Sequence, residues 1–253
     1  MKNAIEISHL SKFYGDAAAV DDLSLTVKSG TVYGLLGENG AGKSTTIECI
    51  LGTRRADSGR VVMLGSEMFA NLDGEQGSAR RISDRERRRL FSQVGVQFQE
   101  CDYQPEIRVS ELCEETACLY DEQADWRKLC DRFGIGDKIN NQVKSLSGGE
   151  RQRLFIVLAL IPNPKMVFLD ELTTGLDARA RRQVWQILEE LKKTGITILL
   201  TSHFMDEVEA LCDEICILRK GRIRYMGTVA GAREATGCTD FEEAYLALSG
   251  EEE

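Results

Sequence analysis

Short apolar runs alternate along this chain with amphipathic stretches, and their periods sort it into elements. Leu23-Ser24-Leu25-Thr26-Val27 alternates as a half-buried strand does, and Gly30 follows as a turn. Val32-Tyr33-Gly34-Leu35-Leu36 is apolar without a break and reads as a buried strand. Beyond it Ile47, Ile50 and Leu51 keep the i, i+3, i+4 spacing of a helix packing one face. Asp57-Ser58-Gly59 predicts a turn before Val61-Val62-Met63. From about Ile107 to Leu160 the texture turns helical, with Leu112, Cys113 and Thr116 through Leu119 as one such stretch. Met166-Val167-Phe168-Leu169 is the short apolar run expected of a central parallel strand covered on both faces. Residues 178–193 carry Val184, Ile187, Leu188 and Leu191 on one helical stripe. Ile196 to Leu200 predicts another buried strand, and Ile215–Leu218 and Ile223–Met226 flank Lys220-Gly221 as a hairpin. The pattern predicts one α/β domain over residues 1–253 with no internal repeat. Its core covers 1–100 and 160–230, a helical subdomain covers 101–159, and a short helix with an acidic tail covers 231–253.

Composition narrows the class. A chain of 253 residues with 42% hydrophobic residues and three prolines suits a globular protein with a sizeable core. No apolar stretch approaches the ~18–20 residues that cross a bilayer, and the start has no signal-peptide pattern. The eight cysteines are scattered without a C-x-x-C, and no histidine pattern completes a zinc site. Reduced thiols, buried or partly exposed, in a reducing cytoplasm are the expectation. The net charge of −9 argues against a dedicated nucleic-acid binder.

The chemistry enters with Gly37-Glu38-Asn39-Gly40-Ala41-Gly42-Lys43-Ser44, followed by Thr45. This fits G-x-x-x-x-G-K-[ST], the phosphate-cradling P-loop. It stands between a predicted strand and a predicted helix, where backbone N–H groups can close around an anion at a helix N-terminus. Glycine is needed because a Cβ would keep the backbone from the phosphates. Lys43 reaches the β- and γ-phosphates in this reading, and Ser44 offers its hydroxyl to Mg²⁺. The chain is expected to bind a nucleoside triphosphate.

Two further segments extend the site. The strand ending in Asp170-Glu171 sets two carboxylates at its tip on opposite sides. Asp170 is placed to hold Mg²⁺ and Glu171 to orient or deprotonate a water. The plainer alternative is two acids capping a turn. Leu146-Ser147-Gly148-Gly149-Glu150 sets a serine N-cap and two glycines at a helix start, which is either another anion-receptive N-terminus or a cap alone.

This last segment resembles the LSGGQ signature of ABC ATPases, and the family's other motifs follow in order across nearly the whole chain. Gln99 matches the Q-loop glutamine, Asp177 in Gly175-Leu176-Asp177 the D-loop, and His203 the switch histidine. Tyr14 matches the aromatic that stacks on adenine, whereas His9 lies outside any motif and reads as ordinary. The resemblance implies a P-loop NTPase (RecA-like) α/β core with an N-terminal antiparallel β region and an inserted α-helical subdomain. It implies ATP and Mg²⁺ as ligands, with Gln99 sensing the γ-phosphate and the metal and His203 holding the γ-phosphate.

It also implies two ATPase subunits packed head to tail, as homodimer or heterodimer. Ser147, Gly148 and Gly149 of each would contact the nucleotide on the other. The expected partner is a membrane-spanning permease subunit, which would hold the chain on the inner face of the cell membrane. Motifs from Asp170 to Asp177, His203 through Arg222 and the tail from Asp240 to Tyr245 resemble ATPases of ABC-2-type and drug-resistance exporters. The alternative is a soluble ABC ATPase serving an assembly machine such as iron–sulfur cluster biogenesis. Two departures stand out: Leu172 replaces the proline common after the catalytic glutamate, and Glu150 the usual glutamine of the signature. Residues 80–89 carry six arginines, read as a solvated linker helix beside a membrane partner in preference to a patch for RNA or acidic lipid.

Overall fold

The structure, a computed structural model, describes residues 2–71, 80–97 and 103–250. The chain divides into two compact units, Met1–Leu90 with Thr201–Glu253, and Phe91–Leu200. In chain order the first unit opens with β1 (Asn3–Tyr14), β2 (Ala17–Lys28), β3 (Val32–Leu36) and α1 (Lys43–Leu51). It continues through β4 (Ser58–Met63), β5 (Ser66–Asn71), β6 (Arg80–Arg81) and α2 (Asp84–Phe91). The second unit holds β7 (Val94–Gln97), α3 (Val109–Ala117), α4 (Trp126–Arg132) and α5 (Gly148–Leu160). After these come β8 (Met166–Asp170), α6 (Ala178–Lys193) and β9 (Thr197–Thr201). The chain then returns to the first unit with α7 (Met205–Leu211), β10 (Glu214–Arg219), β11 (Arg222–Gly227), α8 (Val229–Thr236) and α9 (Phe241–Ser249).

In the first unit β2-β1-β4-β5-β6 form an antiparallel sheet. The alternation read at Leu23–Val27 is observed, since Leu23, Leu25 and Val27 are buried between exposed Ser24 and Thr26. The turn predicted at Asp57-Ser58-Gly59 is a correction. Ser58 and Gly59 already belong to β4, where the pairing with β1 shifts register. Gly59 has φ 104°, and a Cβ there would stand 2.5 Å from the His9 carbonyl oxygen. The glycine marks a bulge, where one strand crowds the other, and not a chain reversal.

The same unit holds the parallel pair β3 and β10, with Tyr33 opposite Glu214 and Leu36 opposite Ile217. β11 follows β10 through Lys220-Gly221 as the predicted hairpin. Every residue of β3 is buried, as a strand covered on both faces requires. Behind it, Leu36, Val208, Ile215 and Ile217 share a core with Phe241, Ala244 and Tyr245 of α9. Two helices occupy the C-terminal stretch where one was expected. Gly237 closes α8 in the left-handed region, and Asp240 caps α9 by accepting from Glu242 and Glu243 N–H at 2.8 and 3.2 Å.

In the second unit β7 runs parallel to β8, pairing Val94 with Met166 and Gln97 with Leu169. Residues 166–169 are buried. α6 buries Val184, Ile187, Leu188 and Leu191, the stripe read from sequence, and ends in Lys192 and Lys193, which complement its dipole. The helical texture from 107 resolves into α3, α4 and α5, but α3 stops at Ala117 and leaves Leu119 77% exposed.

The thiols depart from expectation at one point. Cys49, Cys113, Cys130 and Cys216 are buried and Cys212 and Cys238 half-buried, but Cys118 is exposed. Cys101 lies outside the described residues.

Candidate nucleotide-binding site

Nine of the predicted ligands, Gly37 to Thr45, are gathered where the chain turns sharply between β3 and α1 and enters the helix. Gly42, with φ 104°, leads into Lys43, the first residue of α1. A Cβ at Gly42 would collide with the Ala19 carbonyl oxygen of β2, so glycine there is required by packing as well as by φ. The loop is also pinned from the hairpin side, since Gly221 N–H donates to the Ala41 carbonyl at 3.0 Å. Gly37, Glu38, Asn39 and Gly40 make the turn, with Ala41 N–H bonded to the Glu38 carbonyl at 3.0 Å.

Lys43 is 5% exposed. Its Nζ donates to the Gly37 and Glu38 carbonyls at 2.7 and 3.1 Å, which holds an ammonium at the loop. Thr46, a residue sequence reasoning passed over, is buried and donates its hydroxyl to the Gly42 carbonyl at 2.8 Å, tying the first helical turn to the loop. Ser44 is exposed and Thr45 half-buried beside it. The first-turn N–H groups of α1, the buried ammonium and the absence of acidic residues in that turn fit a phosphate chain.

Tyr14 lies at the end of β1 and is 46% exposed. Lys12 Nζ and the Arg54 guanidinium stand 5.4 and 5.5 Å from its ring centroid, both at cation–π distance. His203 stands two residues beyond the end of β9, after Ser202, and is exposed. Its turn is set by Ser202, whose hydroxyl donates to Glu207 and accepts the Phe204 N–H at 3.0 Å. His9, by contrast, pairs its Nδ1 with Asp22 at 2.7 Å on the surface.

The second unit carries the remaining groups. Asp170 is the last residue of β8 and half-buried. Glu171 corrects the alternation argument: it has left the strand and sits at φ 49°. The cause is the turn it opens, in which Thr174 N–H donates to the Glu171 carbonyl at 3.2 Å. Glu171 shares this left-handed backbone with His9, Asp22, Leu64, Asn163 and Lys220, so the angle belongs to the turn. Leu172, in place of the usual proline, is 2% exposed, and its carbonyl accepts from Gln152 of α5.

Ser147 caps α5 as read. Its hydroxyl oxygen accepts the Glu150 N–H at 3.3 Å, and Glu150 Oε2 accepts the Ser147 N–H at 2.8 Å. The glutamate that departs from the signature thus completes a capping box. That backbone donor, with Lys138 at 3.6 Å, holds its carboxyl below the usual range. Asp177 caps α6 by accepting the Ala180 N–H at 2.8 Å. Between these two helix starts lies a cavity of about 480 Å³ lined by Ser147, Gly148, Gly149, Asp177, Arg153 and Arg179 among others. A Cβ at Gly149 would stand 3.0 Å from Ala180 Cβ, so the glycine lets α5 approach α6. Arg153 and Arg179 were not singled out in the sequence. Arg153 lies one helical turn beyond Gly149, and that spacing is the signal that could have found it. Gln99 lies outside the described residues.

A family profile described as ABC transporter matches residues 20–174. The sequence is 38% identical over 228 residues, 87% of this chain, to Nod factor export ATP-binding protein I of Rhizobium etli, of which it spans 66%. It is 37% identical over 239 residues, 92% of this chain, to the daunorubicin/doxorubicin resistance ATP-binding protein DrrA of Streptomyces peucetius, of which it spans 68%. The chain therefore spans about two thirds of the length of these curated relatives. The solved structure of an ATP binding subunit of an ABC transporter matches it with a TM-score of 0.81 at 26% identity, covering 97% of this chain and 99% of that one. Motifs, fold and relatives agree: the chain belongs to the ABC transporter family.

Proposed function

We propose that this chain is the ATP-binding and ATP-hydrolysing subunit of an ABC transporter, and that the transport it drives is export. The observation that carries the reading is the buried Lys43 ammonium, held on two loop carbonyls at the start of α1. A positive charge placed there without a carboxylate in the first helical turn is suited to an incoming polyphosphate. The export assignment rests on the relatives, which act in Nod factor export and in daunorubicin/doxorubicin resistance.

In this reading Tyr14 stacks on the adenine, Gly37 to Thr45 enclose the phosphates, and Lys43 exchanges its carbonyl contacts for β- and γ-phosphate oxygens. Ser44 and Asp170 offer the hard oxygen ligands that Mg²⁺ takes, and the bound ion supplies charge neutralisation at the phosphates. Glu171 orients a water and accepts its proton, while His203 holds the γ-phosphate and positions that water. Gln99 senses the phosphate and the metal.

Ser147 accepts a hydrogen bond as a cap, which leaves its own O–H proton for an outside acceptor. The Gly148 and Gly149 N–H groups are unpaired first-turn donors by helix geometry, and Arg153 and Arg179 add charge in the same cavity. This half-site meets the γ-phosphate bound by a second ATPase subunit, with Asp177 beside it. A separate permease subunit then carries the substrate across the membrane. Among the described residues no helix is long and apolar enough to cross one.

The test is ATP turnover by the purified chain as a function of its concentration. Turnover that rises more steeply than linearly, and stops in Ser147→Arg while binding of a non-hydrolysable ATP analogue persists, is the expected result. A chain that binds no ATP analogue, or a Ser147→Arg variant with unimpaired turnover, overturns the reading.

A further inference from the structure

At the far end of α1 from the P-loop, a second cavity of about 130 Å³ opens between α1, β5 and the start of α2. Its walls carry Arg54, Arg55, Arg81 and Arg87 against one acid, Asp84. Its floor is apolar, made by Cys49, Ala56, Met68 and Phe69. Burial pushes the Cys49 thiol up to about 11, so the floor is uncharged at neutral pH.

Two of the four arginines have structural tasks. Arg54 pairs with Glu48 at 2.9 Å and covers Tyr14, and Arg87 donates to the Gly52 carbonyl at 3.5 Å, at the end of α1. Arg55 and Arg81 form no ion pair among the described residues, yet they face the same small space. Gathering like charges into one concavity is unfavourable without an anion to share. The gathering is also local, for the whole chain carries a net charge of −9.

We propose that this cavity binds a phosphate monoester, with Arg55 and Arg81 as its main ligands. A guanidinium presents a planar fork that matches two phosphate oxygens. The cavity is small and partly open, with Arg55 and Arg81 exposed, and it admits one phosphate group but not a nucleic-acid strand. The apolar floor receives the carbon of the ester. Asp84, a carboxylate on the same wall, offers an acceptor for a hydroxyl of the esterified alcohol, so a polyol phosphate suits the site better than inorganic phosphate. The cavity lies at the opposite end of α1 from the P-loop and shares Arg54, which neither variant below changes, with the Tyr14 surface; the inference does not depend on the function proposed above.

The probe is glycerol 3-phosphate, titrated calorimetrically into the full chain saturated with a non-hydrolysable ATP analogue so that the P-loop is filled. Saturable one-to-one binding is expected, absent for glycerol and weakened about tenfold or more in the Arg55→Gln/Arg81→Gln variant, as loss of charge-assisted hydrogen bonds implies. A Lys pair at the same positions keeps the charge and loses the fork. It is expected to weaken binding too, and it serves if the Gln pair lowers thermal stability. A parallel arm uses phosphatidylcholine vesicles with and without phosphatidic acid. Co-sedimentation that needs phosphatidic acid and both arginines, without binding of the free ester, assigns the same phosphate chemistry to a lipid headgroup. Binding in neither arm, or binding that neither arginine variant weakens, overturns the proposal. Failure of the ATP analogue to bind is read in its own titration and leaves this test standing.

Discussion

Lys43 is held in a state that folding alone disfavours. Burying an ammonium is costly unless dipoles or charges receive it, and Lys43 at 5% exposure is received by two loop carbonyls. Replacing it with alanine removes that desolvation cost together with the phosphate ligand. Lys43→Ala is therefore expected to keep or slightly raise thermal stability while weakening ATP-analogue binding by about tenfold or more and abolishing turnover. Calorimetry and a thermal melt on one preparation decide it; full turnover would refute the role given to the lysine. Glu171 at φ 49° is the position where a glutamine can keep the backbone and lose the base. Glu171→Gln is expected to preserve binding and reduce turnover by about 10²–10⁴, leaving an ATP-dependent dimer visible by light scattering. Wild-type turnover in that variant would remove Glu171 from the mechanism. The lysine was legible from its motif alone. The left-handed backbone at the glutamate was not, because nothing in Asp170-Glu171-Leu172 announces it.

At the scale of elements, the helices were read best where one face is apolar and the ends carry caps. α6 agrees in both stripe and span because Val184, Ile187, Leu188 and Leu191 recur at helical spacing behind an Asp177 cap. Ser58-Gly59 was misread because a glycine beside a polar residue signals a bulge and a turn equally well. Only the approach of the His9 carbonyl distinguishes them. α9 shows what periodicity missed at the C-terminus. Phe241 is 1% exposed and packs with Leu36, the residue before the P-loop, and with Val208 and Ile217. Phe241→Ala should cost about 3–5 kcal/mol in chemical denaturation. Because β3 carries the loop, ATP-analogue binding should weaken in the same variant. A loss under about 1 kcal/mol would mean that α9 is an appendage and not part of the core.

For the whole molecule, the proposed export function makes a prediction about company. Tagged Glu171→Gln, captured with Mg-ATP from detergent-solubilised native membranes, should bring down a polytopic membrane protein identifiable by mass spectrometry. Recovery of soluble partners alone, at comparable yield, would favour an assembly ATPase over a transporter subunit. The acidic balance of the chain bears on this scale too, since it leaves the arginines around Arg55 and Arg81 as a local exception and not part of a general basic surface.

The sequence by itself determined the phosphate chemistry, the order of the motifs and the family, because those rest on residue types at fixed spacing along the backbone. It also determined the cap at Ser147, which is a local hydrogen bond within three residues. Tertiary structure alone decided why Gly42 must be glycine, through the Ala19 carbonyl that a side chain would strike, and how closely α6 approaches Gly149, through Ala180 Cβ. It also decided that Arg153 and Arg179 share one cavity with Ser147, that Arg54 lies over Tyr14, and that Phe241 lies behind Leu36. These are contacts between residues far apart in the chain, and no local propensity or period specifies which distant backbone or side chain will fill the space beside a given residue.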